Sequence, residues 1–232
     1  MIKSSFDIQE LTISTDKWKA DLCCKNWNSK TKTIEKNEND FVIELSKKGE
    51  WDSTLRIDLA DEKSKRTLIV TGIQGATYLH KNSDDENCQS VKIDNDNLIL
   101  SLGLNFVSID LNDLKLNWKL EPDIAEIFEF YDLENDYLLR GEVGIHRINK
   151  TGRVKWTFSA TDIWVNMEGR PEVEITESSI KLIDFNSDEY EIDFDGKEIK
   201  KLATTTPIGK RADGARRNDN TFNKLWSRLT GN

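Results

Sequence analysis

The side chains that could do chemistry are few in this chain, and their spacing matches no catalytic or metal-binding motif. The 232 residues include two histidines, His80 and His146, and three cysteines, Cys23, Cys24 and Cys88. These residues form neither the C-x-x-C nor the H-x-x-x-H spacing of common zinc sites. The sequence contains no G-x-S-x-G motif and no glycine-rich phosphate-binding motif. We therefore predict a protein that is not an enzyme and that holds no metal ion and no cofactor.

The remaining titratable side chains do not change this prediction. The 42 acidic residues are too numerous for any two to stand out as a catalytic acid and base. His146 lies between Ile145 and Arg147 on a predicted strand, and alternation places it on the face opposite Ile145. This position favours a surface or hydrogen-bonded histidine over a metal ligand.

The charge of the chain is negative and unevenly distributed. The net charge is −9, but residues 203–232 contain six basic and two acidic residues, a net charge of +4. Residues 1–202 therefore carry −13. An acidic body argues against DNA or RNA as the main partner, because phosphate binding needs a basic surface. It favours a basic protein partner, or a role in solubility alone.

Cysteine usage and hydropathy suggest a cytoplasmic protein without membrane association. Three cysteines, two of them adjacent, do not make a disulfide framework, which favours a reducing compartment. Residues 1–6 contain no apolar stretch of the kind found in secretory signals. No run of residues approaches the roughly 18 apolar positions that a membrane-spanning helix needs.

The regularity of residues 97–158 indicates a repeated piece of antiparallel sheet. Gly103 and Gly141 are 38 positions apart, and so are Trp118 and Trp156. A fixed period of this size is typical of stacked supersecondary units. The corresponding strand segments are 97–103, 107–110 and 116–120 in the first unit, and 136–141, 145–148 and 154–158 in the second.

A third, divergent unit is predicted over residues 173–202, with a hairpin turn at Asp195-Gly196 and no Trp on its last strand. We therefore predict an all-β fold of stacked four-stranded antiparallel meanders over residues 89–202. Residues 1–88 are predicted to be an irregular β-rich region. Within it we expect a bulge at Gln9-Glu10 and a half-buried strand from the alternation of Phe41, Ile43 and Leu45.

The C-terminal residues 203–232 are predicted to be a basic linker followed by a short amphipathic helix at 219–230. The apolar side chains of this helix follow the i, i+3, i+4, i+7 spacing of one helix face. They are Phe222, Leu225, Trp226 and Leu229.

The string 148–158 (Ile-Asn-Lys-Thr-Gly-Arg-Val-Lys-Trp-Thr-Phe) resembles the repeats of quinoprotein-like, PQQ-type β-propellers. Residues 111–120 resemble it more weakly, and the match extends over residues 90–202. The resemblance implies propeller-like stacking of the sheets. The full Ala-x-Asp-x-x-Thr-Gly docking pattern of that family is missing. An incomplete propeller, a split pack of sheets and a five-bladed ring all agree with the sequence.

The acidic charge and the missing catalytic motifs favour a non-enzymatic protein-binding module with a basic protein partner. Bacterial immunity proteins, which neutralise cationic toxins by tight binding, have a similar profile of size and charge. One alternative is a propeller-like protein that binds carbohydrates or cleaves glycosides. A second alternative is a scaffold that forms homo-oligomers through the helix at 219–230.

The candidate partner-binding residues are tryptophans outside the repeat match, a nearby carboxylate and the apolar face of the C-terminal helix. Tryptophan is enriched in binding hot spots, and loops carry function more often than strands do. Among the candidate partner-binding segments, residues 162–165 are the strongest, because they lead into a loop with Gly169 and Pro171. The candidates are Asp162, Trp164, Trp51, Phe222, Leu225, Trp226 and Leu229.

Overall fold

The computed structural model describes residues 8–26, 34, 36–47, 52–82, 88–166 and 168–202. These residues form seventeen β-strands, and none of them belongs to a helix that could cross a membrane. The predicted linker and helix at 203–232 lie outside the described residues, as does Trp51.

The strands are arranged in four sheets that follow one another along the chain. Sheet 1 has the order β1-β2-β4-β5-β3, and the other three are simple four-stranded meanders. Sheet 1 consists of β1 (Ile8–Ser14), β2 (Lys19–Lys25), β3 (Phe41–Glu44), β4 (Asp52–Ala60) and β5 (Lys65–Gln74). Sheet 2 consists of β6 (Val91–Asp94), β7 (Asn97–Leu102), β8 (Asn105–Asp110) and β9 (Lys115–Leu120). Sheet 3 consists of β10 (Ile127–Asp132), β11 (Asp136–Gly141), β12 (Gly144–Asn149) and β13 (Val154–Ser159). Sheet 4 consists of β14 (Val173–Ile175), β15 (Ile180–Ile183), β16 (Glu189–Ile192) and β17 (Glu198–Leu202).

The burial of individual strands shows which sheets are inside the stack. In the central strands β7 and β11 nearly every residue is buried, because sheets 2 and 3 are covered on both faces. In β4 and β16, buried and more exposed residues alternate, so sheets 1 and 4 are covered on one face only. The two outer sheets therefore cap the stack with polar surfaces.

Three apolar clusters hold successive sheets together. Leu98 and Leu100 of sheet 2 pack with sheet 1, whereas Ile99 and Phe106 pack with Phe130 of sheet 3. A third cluster joins sheet 3 to sheet 4 around Leu138, Ile145 and Leu182. Among the described residues, no apolar cluster joins sheet 4 back to sheet 1. The fold is an open, propeller-like stack of four sheets.

The predicted repeat is confirmed in sheets 2, 3 and 4, each of which is a four-stranded antiparallel meander. The ladder between the last two strands of each sheet shifts register at the equivalent position, at Ser108/Ile109, Arg147/Ile148 and Glu191/Ile192. Sheet 4 is therefore a third copy of the unit, although its last strand carries no Trp.

One local prediction for the N-terminal region is wrong, and a second holds in part. β1 pairs with β2 without a shift of register from Ile8 to Ser14, so there is no bulge at Gln9-Glu10. β3 pairs in parallel with β5, and Phe41 is 42 % exposed although Ile43 is buried. The alternation therefore predicted the strand and the burial of Ile43 and Leu45 correctly, but not the exposure of Phe41.

Candidate functional site

The turns at one end of sheets 2 to 4 form a continuous surface. Glu142 N donates to Glu126 O at 2.9 Å, and Trp164 N donates to Glu142 O at 2.9 Å. Phe185 N then donates to Ile163 O at 2.9 Å. These backbone hydrogen bonds join four chain segments, which lie between β9 and β10, β11 and β12, β13 and β14, and β15 and β16. We call this surface the acidic face and define it by Asp123, Ile124, Glu126, Glu142, Asp162 and Phe185.

Asp123 is the buried anchor of the acidic face. Its Oδ2 accepts backbone N–H bonds from Gly144 at 2.8 Å and Val143 at 3.2 Å, and its Oδ1 accepts one from Ile124 at 2.6 Å. Burial acts to raise the pKa of Asp123, but hydrogen bonds from His146 and from backbone N–H groups outweigh burial and lower the pKa. Asp123 therefore stays ionised and fixes the β9–β10 connection against the β11–β12 turn.

His146 is a hydrogen-bonded core residue. The sequence predicted either a surface histidine or a hydrogen-bonded one, and the second alternative is confirmed. Its ring is 2 % exposed, with Nδ1 2.9 Å from Thr157 Oγ1 and Nε2 3.4 Å from Asp123 Oδ2. Ile145 packs toward sheet 4 on the opposite face of β12. Because both ring nitrogens have polar partners, the role of this histidine is to stabilise the fold.

Glu126 and Glu142 are the carboxylates of the acidic face that hold their charge least readily. Burial raises the pKa of Glu126, and repulsion from Glu142 raises it further, although the Ala76 N–H donates to Oε1 at 2.8 Å. Burial and repulsion from Asp123 also raise the pKa of Glu142. Such mutual repulsion is unfavourable for the isolated fold, and a cationic ligand would relieve it.

Two apolar side chains of the acidic face are exposed. Ile124 is 89 % exposed in the β9–β10 connection, and Phe185 is 39 % exposed in the β15–β16 turn. An isolated exposed Leu or Ile is ordinary at a protein surface. Here the exposed residues belong to the same face as the repelling carboxylates, so the acidic face combines apolar contact area with negative potential.

The sequence-predicted segment 162–165 lies at this face, but the tryptophan does not act as a surface anchor. Trp164 is fully buried, with Nε1 donating to Val143 O at 3.1 Å and its ring 5.7 Å from that of Tyr190. This corrects the prediction, because a buried indole cannot contact a partner. Asp162 is partly exposed and accepts a hydrogen bond from Asn186 Nδ2 at 3.0 Å. Trp51, Phe222, Leu225, Trp226 and Leu229 lie outside the described residues.

A buried ion pair lies in the interior of sheet 3. Arg140 Nε donates to Glu129 Oε1 at 2.8 Å, and the Tyr131 hydroxyl donates to the same oxygen at 2.5 Å. Burial acts to raise the pKa of Glu129, but the charge and hydrogen bond of Arg140 outweigh it and lower the pKa to about 2. His80 and Cys88 lie beside this carboxylate, and the ligand atoms of the three residues are within 4.8 Å of one another. Spacing along the chain could not show this group, because its members come from different segments.

A separate cleft of about 550 Å³ opens between sheets 2 and 3 at the other end of the strands. Asp94 Oδ2 accepts hydrogen bonds there from the Tyr137 hydroxyl at 2.6 Å and from Lys150 Nζ at 2.7 Å. The part-exposed indole of Trp118 and the amide of Asn117, both from β9 of sheet 2, also line the cleft. The cleft therefore offers aromatic surface together with several hydrogen-bonding groups.

The strand order and the packing of the sheets define the described part of this protein as an open, propeller-like stack of four sheets, three of which are antiparallel meanders. No protein-family model matches the chain, and no curated protein sequence is similar to it.

Among solved structures, the chain is similar to the β-propeller domain of Cps50 (Swd1) from Myceliophteria thermophila, at 10 % identity and a TM-score of 0.40, covering 64 % of this chain and 57 % of that one. It is also similar to BamB from Moraxella catarrhalis, at 11 % identity and a TM-score of 0.41, covering 83 % and 63 %. A fragment of HIRA has 7 % identity and a TM-score of 0.40, covering 85 % and 54 %. The chain thus spans less than two thirds of each of these structures, and the likeness assigns no activity, ligand or partner.

Proposed function

We propose that this protein is a non-enzymatic protein-binding module of the cytoplasm, and that its acidic face binds a basic protein partner. The observation that carries the proposal is the position of Ile124, 89 % exposed, next to carboxylates that repel one another. Interfaces commonly combine a small apolar centre with charged groups that select the partner.

The charges explain why the partner would be basic. Glu126 and Glu142 have raised pKa values, so a lysine or arginine placed between them would gain more than it would beside a single exposed carboxylate. The net charge of −13 over residues 1–202 would speed the encounter with a basic surface at low salt. The hypothesis of an immunity protein that neutralises a cationic toxin is one specific form of this proposal.

The test is a pull-down from lysate of the native host with the tagged full-length chain, at low and at moderate salt, followed by mass spectrometry. The variants Ile124→Ser and Glu142→Gln remove the apolar and the acidic parts of the face. The matched control is Glu177→Gln, because Glu177 is an exposed carboxylate in the β14–β15 turn at the opposite end of the strands.

We expect the wild type and the control to recover one basic protein in stoichiometric yield, and both acidic-face variants to lose most of it. Equal recovery by all four proteins would place the interface elsewhere. If the wild type recovers no specific protein at either salt concentration, the proposal is wrong.

A second candidate function is carbohydrate binding in the cleft between sheets 2 and 3. The observation that favours it is the combination of the Trp118 ring with Asp94, Lys150 and Asn117, since sugars bind to aromatic faces and to paired donors and acceptors. A glycan array with wild type, Asn117→Ala and Ile124→Ser separates the two candidates. Glycan binding that is lost in Asn117→Ala and kept in Ile124→Ser would support the cleft, and no binding by the wild type would reject it.

A further inference from the structure

The geometry points to a binding site for a divalent transition-metal cation of the zinc class, formed by His80, Cys88 and Glu129. The imidazole nitrogen, the thiol sulfur and a carboxylate oxygen all lie within 4.8 Å of one another. Nitrogen, sulfur and oxygen from these three residue types are the donors that zinc uses in proteins. Three protein ligands and one water would complete a tetrahedral site.

The backbone around the three residues is fixed by hydrogen bonds. His80 N donates to Ser90 Oγ at 2.9 Å, and Ser90 N donates to His80 O at 3.0 Å. Next to Cys88, Gln89 exchanges two backbone bonds with Phe130, at 3.0 and 2.7 Å. The segments that carry His80 and Cys88 are therefore joined to each other and to β10, which carries Glu129. A site with pre-positioned ligands loses little conformational entropy when it binds a cation.

The two oxygens of Glu129 have different surroundings. Arg140 and Tyr131 both donate to Oε1, which fixes the orientation of the carboxylate. Oε2 is the oxygen that faces the imidazole, 3.9 Å from His80 Nε2. Partners that bind one oxygen and orient the other are the usual second layer of a metal site.

The charges around the site are compatible with a dication. The guanidinium of Arg140 is shared between Glu129 and Glu172, whose Oε2 is 4.0 Å from Nη1. The two carboxylates and the thiolate form that Cys88 would take together carry −3, and Arg140 with a divalent cation carries +3. The side chain of His80 is 27 % exposed, so the cluster lies near the protein surface.

Cobalt(II) is the probe for the test, because its absorption spectrum depends on which ligands bind it. We expect the full-length protein to bind one equivalent of Co²⁺ with a thiolate-to-cobalt charge-transfer absorption, and Zn²⁺ to displace it. Binding should release protons as the thiol ionises, and should raise the thermal midpoint because the ion binds the folded state. Cys88→Ser should abolish the charge-transfer band, and His80→Gln should weaken Co²⁺ binding by about tenfold or more.

Cys23→Ser is the matched control, because Cys23 is a part-exposed thiol in sheet 1, outside this cluster. Its spectrum and affinity should equal those of the wild type. A band that persists in Cys88→Ser, or that disappears in Cys23→Ser, would overturn the inference. Absence of any thiolate band in the wild type would overturn it as well, and circular dichroism shows whether each variant is folded.

Discussion

The indole ring of Trp118 lies directly on the backbone of Gly152, in the β12–β13 turn of the next sheet. A Cβ atom at Gly152 would be 2.5 Å from Trp118 Cγ, and Trp118 Nε1 donates to Lys150 O at 3.2 Å. The same relationship recurs one unit later, where a Cβ at Gly196 would be 2.6 Å from Trp156 Cδ2. Trp156 Nε1 donates to Phe194 O at 2.9 Å. These contacts explain why the sequence repeats a Trp and a turn glycine in register.

Replacing Gly152 by alanine should destabilise the fold. Gly152 has a φ of 77°, which strains any L-residue, and the added methyl would displace the Trp118 ring. We expect Gly152→Ala to reduce the free energy of unfolding by roughly 1–3 kcal/mol, measured by urea denaturation. The control is Gly169→Ala, since Gly169 has a φ of 86° but is exposed, and should show the backbone strain alone. Equal losses in both variants would mean that the Trp118 contact contributes nothing.

Removing the Asp123 carboxylate should destabilise the fold and loosen the β11–β12 turn of the acidic face. Its side chain is 2 % exposed and accepts bonds from the Val143 and Gly144 backbones, which Asp123→Ala would leave without their acceptor. We expect a loss of roughly 2–4 kcal/mol in the free energy of unfolding, and faster amide exchange at residues 143 and 144. Asp113→Ala, at an exposed carboxylate, should leave the stability and the amide exchange at residues 143 and 144 close to those of the wild type. Unchanged exchange at the turn would contradict the anchoring role.

Glu129 should make part of the stability dependent on pH. Its pKa is lowered to about 2 in the folded state, so the folded protein binds fewer protons than the unfolded chain below neutral pH. This contribution, roughly 3 kcal/mol, is present above the ordinary glutamate pKa and is lost as pH falls from about 4.5 toward 2. Glu129→Gln should therefore be destabilised at pH 7, with the difference from wild type shrinking in acid. A constant difference across this range would show that Glu129 does not titrate as described.

Neutralising Glu126 should raise the free energy of unfolding at pH 7, whereas neutralising Glu129 should lower it. Its pKa is raised in the folded state, so its ionised form opposes folding above that pKa, and the penalty is relieved as pH falls and the carboxyl is protonated. Glu126→Gln keeps an oxygen for the Ala76 N–H. We expect a gain of up to about 1 kcal/mol in the free energy of unfolding at pH 7, decreasing as the pH is lowered toward 4. A loss of stability at pH 7 would contradict the repulsion.

Local sequence features predicted most of the sheet architecture. The 38-residue separations and the alternation in 97–158 predicted two meanders, and a weaker pattern predicted a third. This works because strand pairing within a meander involves neighbouring segments, so that side-chain periodicity and turn residues carry the information. The alternation in 41–45 carried no information on the direction of β3, because its partner β5 lies beyond β4 in the chain.

The candidate sites were far less predictable. By itself the sequence determined that the sheet unit recurs, because Gly103 and Gly141, and Trp118 and Trp156, are 38 positions apart. Only the tertiary structure decided that Trp164 is enclosed between sheets, and that Ile124 stands beside Glu126 and Glu142. It also brought His80, Cys88 and Glu129 together. Periodicity specifies which face of a strand is apolar, whereas contacts between distant segments depend on how the sheets stack, and that is fixed by packing across the whole chain.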